Sequence, residues 1–131
     1  MATNIGLRAT LNLPYEQAVQ NTTEALKAEG FGVLTQIDVK ATLKEKLNAD
    51  FRRYVILGAC NPALAHRALS ANLSVGLLLP CNVTVYEDGD GSVVTAVDPV
   101  DSLGALKADA VAHEVAVEAR TRLRRVIASL T

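Results

Sequence analysis

The chain has no tryptophan, one methionine and few aromatic residues of any kind, three Tyr and two Phe. Any core it forms must therefore be filled by Leu, Val, Ile and Ala. Cysteine is equally scarce: Cys60 and Cys81 are the two present, and they do not form a CxxC pair. That spacing gives no support to a thioredoxin-like redox motif or a zinc ribbon. Excess charge of one sign is also missing. Thirteen Lys and Arg against 14 Asp and Glu leave a net charge of −1. Such a balance offers no long-range attraction for phosphate backbones or anionic membranes. The longest apolar runs, such as Val75 to Leu79, fall far short of the ~20 residues that cross a bilayer. Met1 to Thr10 carries Asn4, Gly6 and Arg8 where a secretory leader would be apolar. Neither nucleic acid nor membrane is an expected partner. The expected compartment is the cytoplasm, where thiols stay reduced.

What is present is an ordinary globular composition, half apolar and 21% charged, over 131 residues. That length suits a single domain spanning 1–131. Alternation from Leu7 to Leu13 about Arg8, Thr10 and Asn12 predicts a half-buried strand. Pro14 then opens a helix with Tyr15, Ala18, Val19, Thr22, Ala25 and Leu26 on one face, closed by Gly30. Phe31 to Ile37 reads as a second strand. Asp38 caps a short helix whose Val39, Leu43 and Leu47 form a stripe. Tyr54 to Leu57 is a continuous apolar strand of the central kind. Asn61 then caps a helix with Pro62 at its first position and Leu64, Ala65, Ala68 and Leu69 buried.

Val75 to Tyr86 reads as one long strand interrupted at Pro80, which marks an edge, a bulge or a break because proline cannot donate to a ladder. Asp88-Gly89-Asp90-Gly91 is a hairpin turn into a strand over Ser92 to Val97, ended by Asp98-Pro99. The last element is a long helix from about Leu106 to Leu130, with Val111, Val115, Ala119, Leu123, Val126, Ile127 and Leu130 on its apolar face. The predicted fold is α+β in two layers: a sheet of about five strands, mostly mixed or antiparallel, covered by helices, with a long C-terminal helix.

The chemistry worth weighing sits at the two Cys-Asn pairs. Cys60 precedes the helix cap Asn61, where the positive end of the helix dipole favours thiolate and would make Cys60 the better nucleophile. Cys81 shares strand parity with Val83 and Val85 and so points with them into the core. Asn82 shares it with Thr84 and Tyr86, towards solvent or a cleft. For both thiols the competing reading is simple packing as small core residues. If the two strands are parallel neighbours, the thiols come within reach of one another. If they are antiparallel, Cys60 falls near Val75 and a shared site fails.

Other signals are weaker. No metal site is expected: two thiolates fall short of a closed zinc site, His66 points away from Cys60, and His113 lies on a polar helix face. Arg120, Arg122, Arg124 and Arg125 complement the dipole of the last helix, with an anion-binding patch as the alternative. Asp88 to Pro99 fails as a calcium loop, since Val93 and Pro99 stand where glycine and a bidentate carboxylate are needed. Asp98 and Asp101 read as turn and cap residues. No phosphate-binding loop or nucleophile elbow is present in the sequence.

Several segments together carry a family resemblance. They are Glu24 to Val33, Ile37-Asp38 with Thr42-Leu43-Lys44, Tyr54 to Pro62, Ala65 with Ala68-Leu69, and Gly76 to Val83 with its Leu79-Pro80-Cys81-Asn82 core. Across most of its length the chain resembles the domain of unknown function 302 family of small bacterial and archaeal proteins. The resemblance implies an α+β fold and a homodimer; it does not imply a reaction, and it leaves the cofactor unknown. The expectation is therefore a homodimeric domain without catalysis that binds a small ligand or a protein partner, with Cys60, Asn61, Cys81 and Asn82 as candidate ligand-binding residues. The alternative is a thiol-dependent redox or soft-metal-binding protein using Cys60 and Cys81. Nucleic-acid binding through the terminal arginines is a distant third.

Overall fold

Every strand of this chain pairs antiparallel with its neighbours. A computed structural model describes residues 5–106 and 108–131. In chain order the elements are β1 (Leu7–Leu11), α1 (Tyr15–Ala28), β2 (Gly32–Asp38), α2 (Val39–Leu47), β3 (Tyr54–Cys60) and α3 (Pro62–Ala71). A 3-10 segment (Leu73–Leu78), β4 (Cys81–Asp88), β5 (Gly91–Ala96), α4 (Pro99–Ser102), a 3-10 turn (Gly104–Leu106) and α5 (Ala110–Ser129) complete it. The strands form one sheet in the order β1-β5-β4-β3-β2. The fold is α+β, as the element pattern predicted, and the sheet is antiparallel rather than mixed.

Local chemistry explains the boundaries. α1 ends in a Schellman motif: the Gly30 N–H donates to Lys27 O at 3.0 Å and the Phe31 N–H to Leu26 O at 2.9 Å. Gly30 supplies the left-handed φ of +84° that this closure needs, and Phe31 is turned into the core. Asp38 caps α2 by accepting from the Ala41 N–H at 2.9 Å. Asp88 and Gly91 pair across the tight β4–β5 turn, where Gly89 takes a φ of +59°.

One face of the sheet is covered over β1, β5, β4 and β3, while β2 stays largely exposed. Ala9, Leu11, Leu57, Ala59, Val83, Val85, Val94 and Ala96 are buried beneath α1, α3 and α5, which contribute Ala18, Leu26, Leu64, Ala68, Ala119, Leu123 and Val126. Each fully buried Leu or Val contributes roughly 1.5–3 kcal/mol. The opposite face carries Arg8, Thr10, Tyr54, Ile56, Asn82, Thr84, Tyr86 and Thr95, and is only partly shielded from solvent.

Four boundaries or faces differ from the pattern reading. Val75 to Leu78 is a 3-10 segment, and β4 begins only at Cys81. The Asn72 side chain accepts from the Ser74 N–H at 2.9 Å and starts the turn, Val75 plugs the core, and Pro80 has no N–H for the ladder. α5 begins at Ala110 because Asp109 caps it, accepting from the Ala112 N–H at 3.0 Å. The buried stripe at that end runs through Ala112, Val115 and Ala116, and Val111 is exposed. β1 stops at Leu11. The apolar stripe of α2 is not buried: among the described residues none covers Leu47, which is exposed.

Candidate functional site

At the corner between β3 and α3 the chain turns out of the sheet and into a helix within two residues. Asn61 is extended, at φ −97° and ψ 106°, and its Oδ1 accepts from the Leu64 N–H at 3.2 Å, with Pro62 opening the helix. The antiparallel register sets Cys81 opposite Ala59, one residue from Cys60, while Cys60 itself faces Gly32. Antiparallel strands were expected to separate the thiols. They do not, because β4 starts at Cys81 rather than at Val75. Strand alternation directs Cys60 and Ala59 to opposite faces, so the thiols are neighbours in register rather than a facing pair. No disulfide joins them.

Both cysteines and Asn61 border a cavity of about 30 Å³, walled otherwise by apolar side chains such as Phe31, Leu64 and Leu79. That is room for about one water. The apolar wall decides the thiol chemistry. Burial pushes Cys60 above its ordinary value, the reverse of the lowering expected from the helix terminus. Cys81 is pushed up to about 11, first by burial and then by proximity to Cys60. Both thiols therefore hold their protons at neutral pH, which suits neither a nucleophile nor a metal ligand. Among the described residues no group of three or more His, Cys, Asp or Glu side chains could hold a metal ion.

Asn82 belongs to a different place. It lies on the partly open face, in a cleft of about 590 Å³. Cross-strand register builds the cleft floor: Arg8 pairs with Thr95 and Thr95 with Thr84, while Tyr54 pairs with Tyr86. The two tyrosine rings stack with centroids 5.3 Å apart. Arg8 Nη2 donates to Tyr86 Oη at 3.3 Å. Asp98, the N-cap of α4, and Asp101 and Ser102 within it also line the cleft. Asp98 is buried there: one carboxylate oxygen caps α4 by accepting from the Val100 N–H at 3.0 Å, and the other lies 3.0 Å from Arg120 Nε. Arg120 Nε has no well-aligned hydrogen bond, so the contact is an ion pair.

Of the four residues singled out from sequence, three gather at the small cavity and Asn82 alone lines the cleft. Arg8, Tyr54, Tyr86 and Thr95 were not singled out. Their only sequence signal is strand parity, which groups Asn82 with Thr84 and Tyr86 and sets Arg8 outward on β1. The arginines of α5 are largely used internally: Arg120 on Asp98, Arg122 on Glu118 at 3.7 Å and on Glu29 O at 3.0 Å, and Arg125 on the Glu29 carboxylate at 2.9 Å.

This arrangement of sheet, corner and helices is shared with known proteins. The family model described as Domain of unknown function DUF302 matches residues 7–130. The chain belongs to the DUF302 family. A crystal structure of an uncharacterized conserved DUF302 protein from Bacillus stearothermophilus superposes with a TM-score of 0.86, at 32% sequence identity, covering 95% of this chain and 97% of that one. No curated protein matches the chain. DUF302 membership accordingly carries no reaction to transfer, and the functional argument rests on the two cavities. Among the described residues of this DUF302 chain, no helix is long and apolar enough to cross a membrane.

Proposed function

We propose that this DUF302 protein is a non-catalytic, homodimeric binding domain of the cytoplasm that takes a small ligand in the cleft beside Tyr54, Asn82 and Tyr86. The observation that carries this reading is the cleft itself. Its volume of about 590 Å³ falls within the usual ~300–1,000 Å³ of small-molecule sites. Polar groups from three strands converge on it beside an aromatic wall, the combination that fixes a ligand's orientation. The cavity at Cys60, Asn61 and Cys81 is too small for anything but water, so these three serve packing and capping, and Asn82 alone keeps a ligand-binding role. The dimer is supported by exposed apolar side chains on the segment from β2 to β3: Leu34 at 68%, Ile37 at 49%, Leu47 at 71% and Phe51 at 42%. Such material is what a second copy would cover.

Protein-observed NMR with a chemically diverse fragment library tests the site. Hits should cluster on the backbone amides of Tyr54, Asn82, Thr84, Tyr86 and Thr95. Hits gathered about Cys60, or scattered over the surface, would defeat it. Light scattering at micromolar concentration tests the dimer, and a clean monomer would count against that part.

The second reading, a thiol-dependent function, is favoured by the adjacency of Cys60 and Cys81 in register. Their raised pKa values weigh against it. Rapid alkylation of either thiol at pH 7 would revive it.

A further inference from the structure

We infer that the cleft is built for a small aromatic monocarboxylate, its carboxylate on the Arg8 guanidinium and its ring against Tyr54 and Tyr86. The inference rests on the cleft reading above and adds the ligand's chemistry.

Arg8 supplies the charge. Among the described residues it has no ion-pair partner. Its Nη2 donates to Tyr86 Oη at 3.3 Å. A guanidinium carries five N–H donors in a planar fork, so one bond to a tyrosine leaves a pair free for a carboxylate. The tyrosine hydroxyl meanwhile holds the fork at the cleft. Tyr54 and Tyr86 stack within 6° of parallel at the same end. Arg52 lies 5.6 Å over the Tyr86 ring and Phe51 is tilted against Tyr54, so the pair offers ring edges beside that fork, suited to an edge-to-face contact.

The rest of the lining limits the charge to one. Asp98 is neutralised by Arg120 and by the Val100 N–H. Asp101 adds negative potential to the cleft lining. A ligand carrying several anionic groups would be repelled by that carboxylate, which favours a single one paired with Arg8. Elsewhere in the lining Asn82, Thr84 and Thr95 can each donate and accept, which suits a neutral polar substituent such as a hydroxyl.

The probe is 4-hydroxyphenylacetate, titrated into the full-length protein and followed by backbone-amide shifts. The comparison compounds are its neutral amide, cyclohexylacetate, which lacks the aromatic ring, and the cation tyramine. The acid should shift the amides of Arg8, Tyr86 and Thr95. The amide should bind about tenfold more weakly, the scale of one charge-assisted pair, and cyclohexylacetate, which keeps the carboxylate, roughly two- to tenfold more weakly through loss of the aromatic contact. Arg8→Gln should bring the acid down to about the affinity of the amide. If the amide or tyramine binds in the cleft as tightly as the acid, the ligand class is wrong and the cleft stands. If none of the four moves a cleft amide at millimolar concentration, the inference falls. The diverse fragment screen then decides separately whether the cleft reading falls with it.

Discussion

Tyr54 and Tyr86 face one another across β3 and β4, with ring centroids 5.3 Å apart and planes within 6° of parallel. The pair stands on the sheet face that the core helices leave open. It also shields Val93, which sits opposite Tyr86 on β5 and is 1% exposed. The same two rings thus stabilise the sheet and wall the cleft.

Replacing Tyr86 by Leu keeps apolar cover over Val93 but removes the stack and the acceptor for Arg8. Urea denaturation should show a loss of about 1 kcal/mol, the scale of a cross-strand aromatic pair. An unchanged midpoint would mean that the rings do not support the sheet.

Gly58 admits no side chain. A Cβ there would collide with Thr35 Oγ1 and lie 2.9 Å from Pro80 Cγ. Gly58→Ala should cost about 1–3 kcal/mol through overpacking. Thr35→Gly in the same chain should recover part of the loss, because one of the two obstructions is then gone. A thermodynamic cycle over the single and double variants measures the coupling.

The β3–α3 corner depends on its cap. Asn61→Ala removes the acceptor for the buried Leu64 N–H and should lower stability by about 1 kcal/mol. Chemical denaturation of the variant checks this, and a neutral result would show that water replaces the bond.

Cys81 makes stability fall in alkali. Its thiol stays protonated in the folded state up to about 11, against an ordinary value of 9.0. The unfolded chain therefore releases the proton first, and ionisation favours unfolding as pH rises from 9 towards 11. Below that window the effect vanishes; across it the loss approaches about 3 kcal/mol. Cys81→Ala removes this contribution. The difference between wild-type and variant stability should shift in the variant's favour with rising pH, and parallel profiles would contradict the buried thiol. Alkylation of Cys81 should be slow at pH 8 and accelerate only in strong alkali.

How much of this was legible in one dimension depended on range. Caps and turns are local, and the side chains that form them carry their own signal. Asp38, Gly30, Asn61 with Pro62 and the Asp88-Gly89-Asp90-Gly91 turn all do in the structure what their sequence context indicates. The run at Val75 misled because an apolar stretch fits a strand and a core-plugging turn equally well. The stripe of α2 misled for the opposite reason: it is amphipathic, yet no described residue covers Leu47.

The sequence by itself determined the α+β class, the order of the elements and the local chemistry of their ends, because hydrophobic period and backbone hydrogen bonding act over a few residues. Only the tertiary structure decided strand order and register. Through them it brought Cys81 beside Cys60 at a largely apolar corner, and Arg8 to Tyr86 across 78 residues at the cleft. Such neighbours are selected by the closing of the whole sheet over its helices, and no periodicity along the chain records which distant strand will lie alongside.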